Sequence, residues 1–287
     1  MDPWLQEGLL SPPMLAVLGL CIGSFLNVVI HRLPQMLERR WKLDSAEMLG
    51  LDAARTSGIG PEITLSRPRS RCPSCGHLIA WHENIPVLSY LRLGGKCSAC
   101  KARISPRYPV VEIATALAFA AIGWRFGPQP ATLLWCAFAA VLVALTGIDW
   151  DTTLLPDDLT LPLLWAGLVA AALGWTLPLP QALWGAVAGY LSLWSVYWLF
   201  KLATGKEGMG HGDFKLLAAL GAWLGWQMIL PIVLAASILG AVVGIAMKAG
   251  GALREGRYVP FGPFLAGAGF AVLLAGPTRA LGWLGWA

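Results

Sequence analysis

Charge is scarce in this sequence. Only 13% of its 287 residues are Asp, Glu, Lys or Arg, about half the roughly 25% that ordinary soluble domains carry. Together with 56% hydrophobic residues and a mean hydropathy of +0.62, this argues against a soluble globular enzyme and excludes disorder. A secretory signal is also lacking. Residues 1–12 hold Asp2 and Glu7 but no Lys or Arg, and no A-x-A-like cleavage site follows the first apolar run. That run is expected to remain as a spanning helix.

What the chain has in abundance is apolar sequence, with 15 Trp, 33 Gly and 20 Pro, a mixture that suits a polytopic membrane protein because spanning helices tolerate Gly and Pro and Trp gathers at the interfaces. A stretch of about 17 to 25 apolar residues crosses a hydrocarbon core of roughly 30 Å. Eight candidates occur, at 13–30, 110–124, 131–148, 159–176, 181–200, 214–229, 231–247 and 261–275, the second and sixth being short. The expected fold is an all-α polytopic membrane protein of about eight transmembrane helices with a zinc-stapled loop domain. Its expected divisions are a first helix at 1–30, a loop domain at 31–109 and seven membrane helices at 110–287.

The net charge of +5 is unevenly placed, for the loop 31–109 holds 13 of the 21 Lys and Arg. Short connections agree: Lys201, Lys206 and Lys215 flank one and Lys248, Arg254 and Arg257 another, whereas the alternate side has Arg125 and Arg279. Positive charge marks the cytoplasmic side, so both termini are expected outside and the loop in the cytoplasm. Basic residues beside that face are expected anyway, so they imply membrane lipid and no nucleic acid.

Four of the six cysteines form Cys72-Pro73-Ser74-Cys75 and Cys97-Ser98-Ala99-Cys100, with 21 residues between the pairs. Two such knuckles read as a zinc site. A tight turn brings both thiolates of a pair onto one tetrahedral ion, and two pairs close the site, which makes it structural. Two disulfides are the alternative, disfavoured in a reducing cytoplasm. With four thiols present, His77 and His82 are not needed as ligands. Cys21 and Cys136, inside apolar runs, read as small buried hydrophobes.

Acids at the ends of spanning segments are a functional hypothesis by default. Asp149 closes the third run in Gly147-Ile148-Asp149-Trp150-Asp151, and Asp213 opens the sixth in Gly210-His211-Gly212-Asp213. Gly208, Gly210 and Gly212 let the backbone turn sharply and approach another element, which would hold Asp213 in a buried crevice facing Asp149. Two aspartates sharing a proton can run aspartic-protease chemistry. Solvated helix-end carboxylates are the plain alternative, the reading given to Asp151, Asp157 and Asp158, and the helix dipole alone could account for Asp213. Lys215 would oppose proton retention if it pointed inward.

Gly210-His211-Gly212-Asp213 resembles the G-x-G-D signature of intramembrane aspartyl proteases. With Asp149, with Leu155-Pro156-Asp157, with the stretch from Gly23-Ser24-Phe25-Leu26-Asn27 to His31-Arg32-Leu33-Pro34, and with the Cys-x-x-Cys pairs, the chain resembles the bifunctional bacterial type IV prepilin peptidases from Gly23 to the eighth run. The resemblance implies an inner-membrane enzyme that cuts the short basic leader from prepilins or type II secretion pseudopilins after a Gly, on the cytoplasmic side. It then methylates the new N-terminal residue, usually Phe, with S-adenosylmethionine. It implies Asp149 and Asp213 as the catalytic pair and Cys72, Cys75, Cys97 and Cys100 as zinc ligands. No strand-linked G-x-G-x-x-G marks a cofactor site, and Glu83, in Glu83-Asn84-Ile85-Pro86, with Gly94-Gly95 are the methyl-transfer candidates; a turn and a solvated acid are their plain alternatives. The rivals are an ion-coupled transporter using the two aspartates, a peptidase without methyl transfer, and a scaffold in which the aspartates are inert.

The remaining features read as structural. Trp124, Trp150, Trp165, Trp175, Trp223 and Trp226 lie near segment ends, as an aromatic belt would place them, and 39–61 reads as a short amphipathic helix.

Overall fold

The structure, a computed structural model, describes residues 7–50, 62–251, 259–283 and 285. Ten α-helices carry these residues: α1 Pro12–Met48, α2 Leu88–Arg92, α3 Arg107–Phe126, α4 Ala131–Thr152, α5 Asp157–Ala172, α6 Leu179–Thr204, α7 His211–Leu224, α8 Ile229–Ala249, α9 Gly262–Ala275 and α10 Pro277–Gly282. Two isolated antiparallel bridges, Arg71 with Leu78 and Lys96 with Arg103, mark the cysteine knuckles. The chain divides into two units, Met1–Cys136 and Ala137–Ala287.

Each of the eight expected segments is helical over most of its length, but five helices are long and apolar enough to cross a membrane: Pro12–Met48, Arg107–Phe126, Ala131–Thr152, Leu179–Thr204 and Trp226–Ala249. Among the described residues the expected count of eight spans is therefore not confirmed, because the other three helices are shorter, α5 with 16 residues and α7 and α9 with 14 each. The reason is clearest for α7, where ten of its 14 residues are buried. A helix apolar on every side belongs to a protein core as readily as to lipid. The lipid-ready surface lies elsewhere, on side chains such as Leu199 and Leu202 of α6 and Val242 and Ile245 of α8.

The first unit is a helix pair carrying a loop. Helix α1 does not stop at residue 30 but runs 37 residues with Pro34 inside it, about 55 Å at 1.5 Å per residue. The expected separate helix at 39–61 is therefore replaced, as far as Met48, by the continuation of α1, and 51–61 lie outside the described residues. Gly19 and Gly23, four residues apart, lie against α3 so closely that a β-carbon on either would stand 2.7 Å from a backbone Cα, of Ala116 or Glu112. Small residues at this spacing let two helix backbones approach. Cys21, between them in sequence, faces the other way and is exposed, which corrects its expected burial, while Cys136 is buried. Asn27 fastens the end of the loop by donating to the carbonyls of Gly23 and Tyr108, and the Arg32 guanidinium donates to the carbonyls of Thr64, Leu65 and Pro68.

The second unit is built around α7. Gly185 and Gly189 of α6 meet Gly221 and Leu217 of α7: a β-carbon on Gly189 would lie 2.5 Å from the Leu217 carbonyl oxygen, and one on Gly221 would collide with that of Gly185. On the α5 side Trp223 Nε1 donates to the Leu163 carbonyl at 2.8 Å, and its ring lies 5.1 Å from that of Phe138 on α4. Trp223 is thus a core residue at 3% exposure, a correction to the aromatic-belt reading, whereas Trp124, Trp150, Trp165, Trp175 and Trp226 are exposed.

Overpacking a filled interface costs about 1–3 kcal/mol or more. Gly221→Ala is expected to lower the thermal midpoint of the detergent-solubilised protein by several degrees, while Gly244→Ala, where nothing lies within 4 Å, leaves it unchanged; tryptophan fluorescence during a melt reads both.

Candidate active site and metal centre

Asp149 occupies the last turn of α4 and Asp213 the first turn of α7, where its backbone N–H donates to the Gly210 carbonyl at 3.3 Å. Both carboxylates are buried, at 4% and 7% exposure, and Leu155 links their surroundings, lying against Gly212 beside Asp213 and against Gly262 beside Asp149. Asp149 Oδ2 has no hydrogen-bond partner among the described residues. A buried polar atom left so is costly, and paired acids of this kind cluster at functional sites.

The residues around the pair have identifiable tasks. Helix α4 ends as Thr153 takes a left-handed conformation at φ 54°, the usual way of stopping a helix. The chain then places Leu155 against Gly212, where a β-carbon would stand 2.7 Å from Leu155 Cβ. Gly208 similarly lies under the Phe200 ring, and Gly210 is extended at φ −80°, ψ 150°. None of these three glycines has a positive φ, so the expected role in sharp turning is corrected: Gly208 and Gly212 are needed for close approach. Lys215 Nζ bonds both Asp157 carboxylate oxygens, at 2.7 and 2.8 Å, and so ties α7 to the start of α5. It does not point into the site, and Asp157 is an ion-pair partner rather than a merely solvated acid. The segment before Asp213 is held by Lys201, which donates to Glu207 at 2.8 Å and to the Tyr197 hydroxyl at 3.1 Å; Lys201 keeps the Glu207 carboxyl below its usual range. The His211 ring sits between those of Tyr197 and Phe214, 5.1 and 5.3 Å away.

Sequence reasoning missed Gly262. It opens α9 beside Asp149, and a β-carbon there would lie 2.5 Å from Asp149 Oδ2. The available signal was the Phe261-Gly262-Pro263-Phe264 run, since Pro at the second position of a helix and Gly beside it punctuate a helix start. Glu112 was missed as well. It is a buried carboxylate on α3 that accepts the Val87 N–H at 2.8 Å, and Val87 has a φ of 59°, a strained conformation for a β-branched residue.

In the first unit the ligating atoms of Cys72, Cys75, Cys97 and Cys100 all lie within 4.8 Å of one another, and the four thiols are unbonded. The disulfide alternative is not adopted. Both knuckles fold alike: Gly76 N–H bonds the Cys72 carbonyl and Lys101 N–H the Cys97 carbonyl, with Gly76 and Lys101 both at positive φ. Backbone N–H groups of Cys75 and Ser74 pull the Cys72 thiol down to about 6, and those of Cys100 and Ala99 lower that of Cys97. Against the His77 backbone N–H, which lowers it, the Cys100 thiol and burial push the Cys75 thiol up to about 11; two of the four thiols are thus favoured as thiolates, the form that binds a metal ion. His77 is not in the cluster; it bonds Glu83 and Ser98 instead.

Glu83 accepts the Ala80 N–H at 2.9 Å and the His77 ring at 3.2 Å. Ser98, the Ala80 N–H and His77 hold its carboxyl down to about 2 from 4.5. Its contribution to the loop is therefore complete above the ordinary carboxylate value and fades as pH falls toward 2. Gly94 and Gly95, at φ 60° and 67°, line a cavity of about 560 Å³ with Tyr90, Lys96, Arg103, Ile104, Ser105 and Pro106. Gly95 is buried under Tyr90, whose hydroxyl would stand 2.9 Å from a β-carbon. Glu83 is not among the residues lining that cavity.

Residues 17–126 match the family described as the bacterial peptidase A24 N-terminal domain, and residues 136–245 the type IV leader peptidase family. The chain is 53% identical to the prepilin leader peptidase/N-methyltransferase of Pseudomonas aeruginosa over 91% of its own length and 89% of that protein. It is 51% identical to that of Aeromonas salmonicida, covering 96% and 93%, and 50% identical to that of Burkholderia pseudomallei, covering 91% and 84%. No solved structure matches. A helical membrane chain that places two acids together in one unit and four thiols in the other, and that shares half its residues with these enzymes along nearly its whole length, belongs to the prepilin leader peptidase/N-methyltransferase family.

Proposed function

We propose that this chain removes the leader from prepilins or type II secretion pseudopilins and methylates the exposed N-terminus, with Asp149 and Asp213 performing the cleavage. The observation that carries the reading is the joint burial of these two carboxylates in one unit. Two like charges so close cannot both ionise readily, so the pair retains one proton. The ionised carboxylate takes a proton from water as that water attacks the scissile carbonyl carbon, while the protonated one donates to the carbonyl oxygen. As the tetrahedral intermediate collapses, the carboxyl that took the water proton delivers it to the scissile nitrogen and the other carboxylate recovers the hydroxyl proton, so the C–N bond breaks, the new N-terminal amine leaves and the pair is restored. A prepilin is itself an apolar helix behind a basic leader. It can remain in the bilayer of the inner membrane while its cleavage site meets the pair at the cytoplasmic ends of α4 and α7, and anionic lipid beside the basic loop suits that placement.

Methyl transfer is assigned to 31–109 and peptidase chemistry to the helices of 110–287. S-adenosylmethionine supplies an electrophilic methyl group when bound. The cavity at Gly94 and Gly95 falls within the roughly 300–1,000 Å³ usual for small-molecule sites, and Lys96 and Arg103 give it cationic walls for a carboxylate-bearing ligand. Glu83, engaged with Ala80 and His77, acts there by shaping the turn between the knuckles. The metal is proposed to be zinc, held by Cys72, Cys75, Cys97 and Cys100. Sulfurs on a tetrahedral ion at about 2.3 Å stand about 3.8 Å apart, the separation found between Cys72 and Cys100 at 3.8 Å. With four protein ligands it is structural.

Mass spectrometry of a prepilin incubated with S-adenosylmethionine tests the catalytic assignment. Asp149→Asn and Asp213→Asn are each expected to abolish leader removal, by at least about 10³-fold, yet to methylate a pilin supplied already cleaved; cleavage at the native rate by either would sink the dyad. Gly95→Ala is expected to do the reverse, retaining cleavage and losing methylation, because its φ of 67° and the Tyr90 contact both resist a side chain. Purified protein is expected to carry one zinc per chain by elemental analysis, and Cys72→Ser to carry less than half of that; a metal-free native protein would refute the assignment.

A further inference from the structure

We propose that Gly262 is a positioning residue of the peptidase site, its bare α-carbon setting where the Asp149 carboxylate stands. This deepens the dyad reading and rests on it. The first turn of α9 has few free donors. Pro263 has no N–H, and the amides of Phe264 and Leu265 are taken by the Phe261 carbonyl at 3.1 and 3.2 Å. In this turn it is Gly262 that lies against a group outside the helix, the Asp149 carboxylate.

The carboxylate supplies the complementary half of the argument. Asp149 is 4% exposed, its Oδ2 has no hydrogen-bond partner, and that same atom is the nearest neighbour of the position a Gly262 β-carbon would take, at 2.5 Å. Oδ2 is thus packed onto the open side of the glycine. Any side chain at 262 must push the carboxylate away by about 1 Å to restore van der Waals distance, or shift the helix start. Leu155, whose two δ-carbons would lie 3.1 Å from the same β-carbon, walls the other side, so the obvious escape is closed. The dyad accordingly has a third contributor, α9, beside the two helices that carry the acids.

A misplacement near 1 Å of a reacting group costs on the order of 100-fold in rate. Gly262→Ala in the full-length, zinc-loaded protein is expected to lower kcat for leader cleavage about 100-fold, with KM for the prepilin within threefold of native and methylation of a pre-cleaved pilin intact. Gly267→Ala, on the same helix with nothing within 4 Å, is expected to match the native enzyme. Combining Gly262→Ala with Leu155→Ala separates positioning from packing: the double variant is expected to stay slower than Leu155→Ala alone, because the Asp149 collision remains. Native kcat in Gly262→Ala, a change confined to KM, loss of methylation along with cleavage, or restoration by Leu155→Ala would each overturn the proposal. Asp149→Asn in the same assay distinguishes the two levels, since native cleavage by that variant would remove the dyad reading and this inference with it, whereas an inactive Asp149→Asn beside a fully active Gly262→Ala would remove the inference alone.

Discussion

The second unit depends on one constraint, the close approach of α6 and α7 at their glycines. Helix α7 presents buried residues on nearly every side, which requires neighbours on every side. A helix packed through ordinary side chains stays about 8–10 Å from its partner. At Gly185, Gly189 and Gly221 the backbones come closer than any side chain permits. In a bilayer, where lipid is as apolar as leucine, such contact rather than hydrophobic exclusion drives helices together. With α7 enclosed, Asp213 in its first turn is enclosed too, and the same helix meets α5 through Trp223 and Lys215.

Burial of the acids then follows from where the helices end. Asp149 lies just before the left-handed Thr153 and Asp213 just after the extended Gly210, so each sits at a terminus rather than in mid-helix. Two termini and the start of α9 converge on one place, with Leu155 packed against Gly212 and Gly262. Helix ends bring both acids into burial while leaving each beside a loop. The first unit applies the same device, Gly19 and Gly23 against α3, to hold up a loop whose own order comes from its thiol cluster and from Arg32 and Asn27.

Much of this was legible in the sequence for a physical reason. The cysteine knuckles are local: a C-x2-C turn is a property of four residues, and both pairs fold as their spacing demands. Apolar runs likewise announce helices, because only a helix satisfies its backbone within one segment in lipid. The aspartates stood out because charge is rare in such a chain. What hydropathy left open was which of the apolar helices span. Helix α7 is apolar because it is a core, and Trp223 lies near a helix end yet bonds Leu163. For Gly208 and Gly212 the sequence allowed both a sharp turn and a close approach, since a glycine under a leucine and a glycine in a turn are the same letter.

Composition, knuckle spacing and apolar runs thus determined by themselves the all-α membrane class and the four-thiol cluster, and they singled out two acids at the ends of those runs as candidates. Each rests on local chemistry that a stretch of chain carries with it. Tertiary structure alone decided which glycines are contacts, that Lys215 turns away to Asp157, that Glu83 and His77 serve one another, and that Gly262 stands against Asp149. Those depend on which surfaces of distant segments meet, and packing of helix on helix is settled by shape across the whole unit rather than by any run of residues within it.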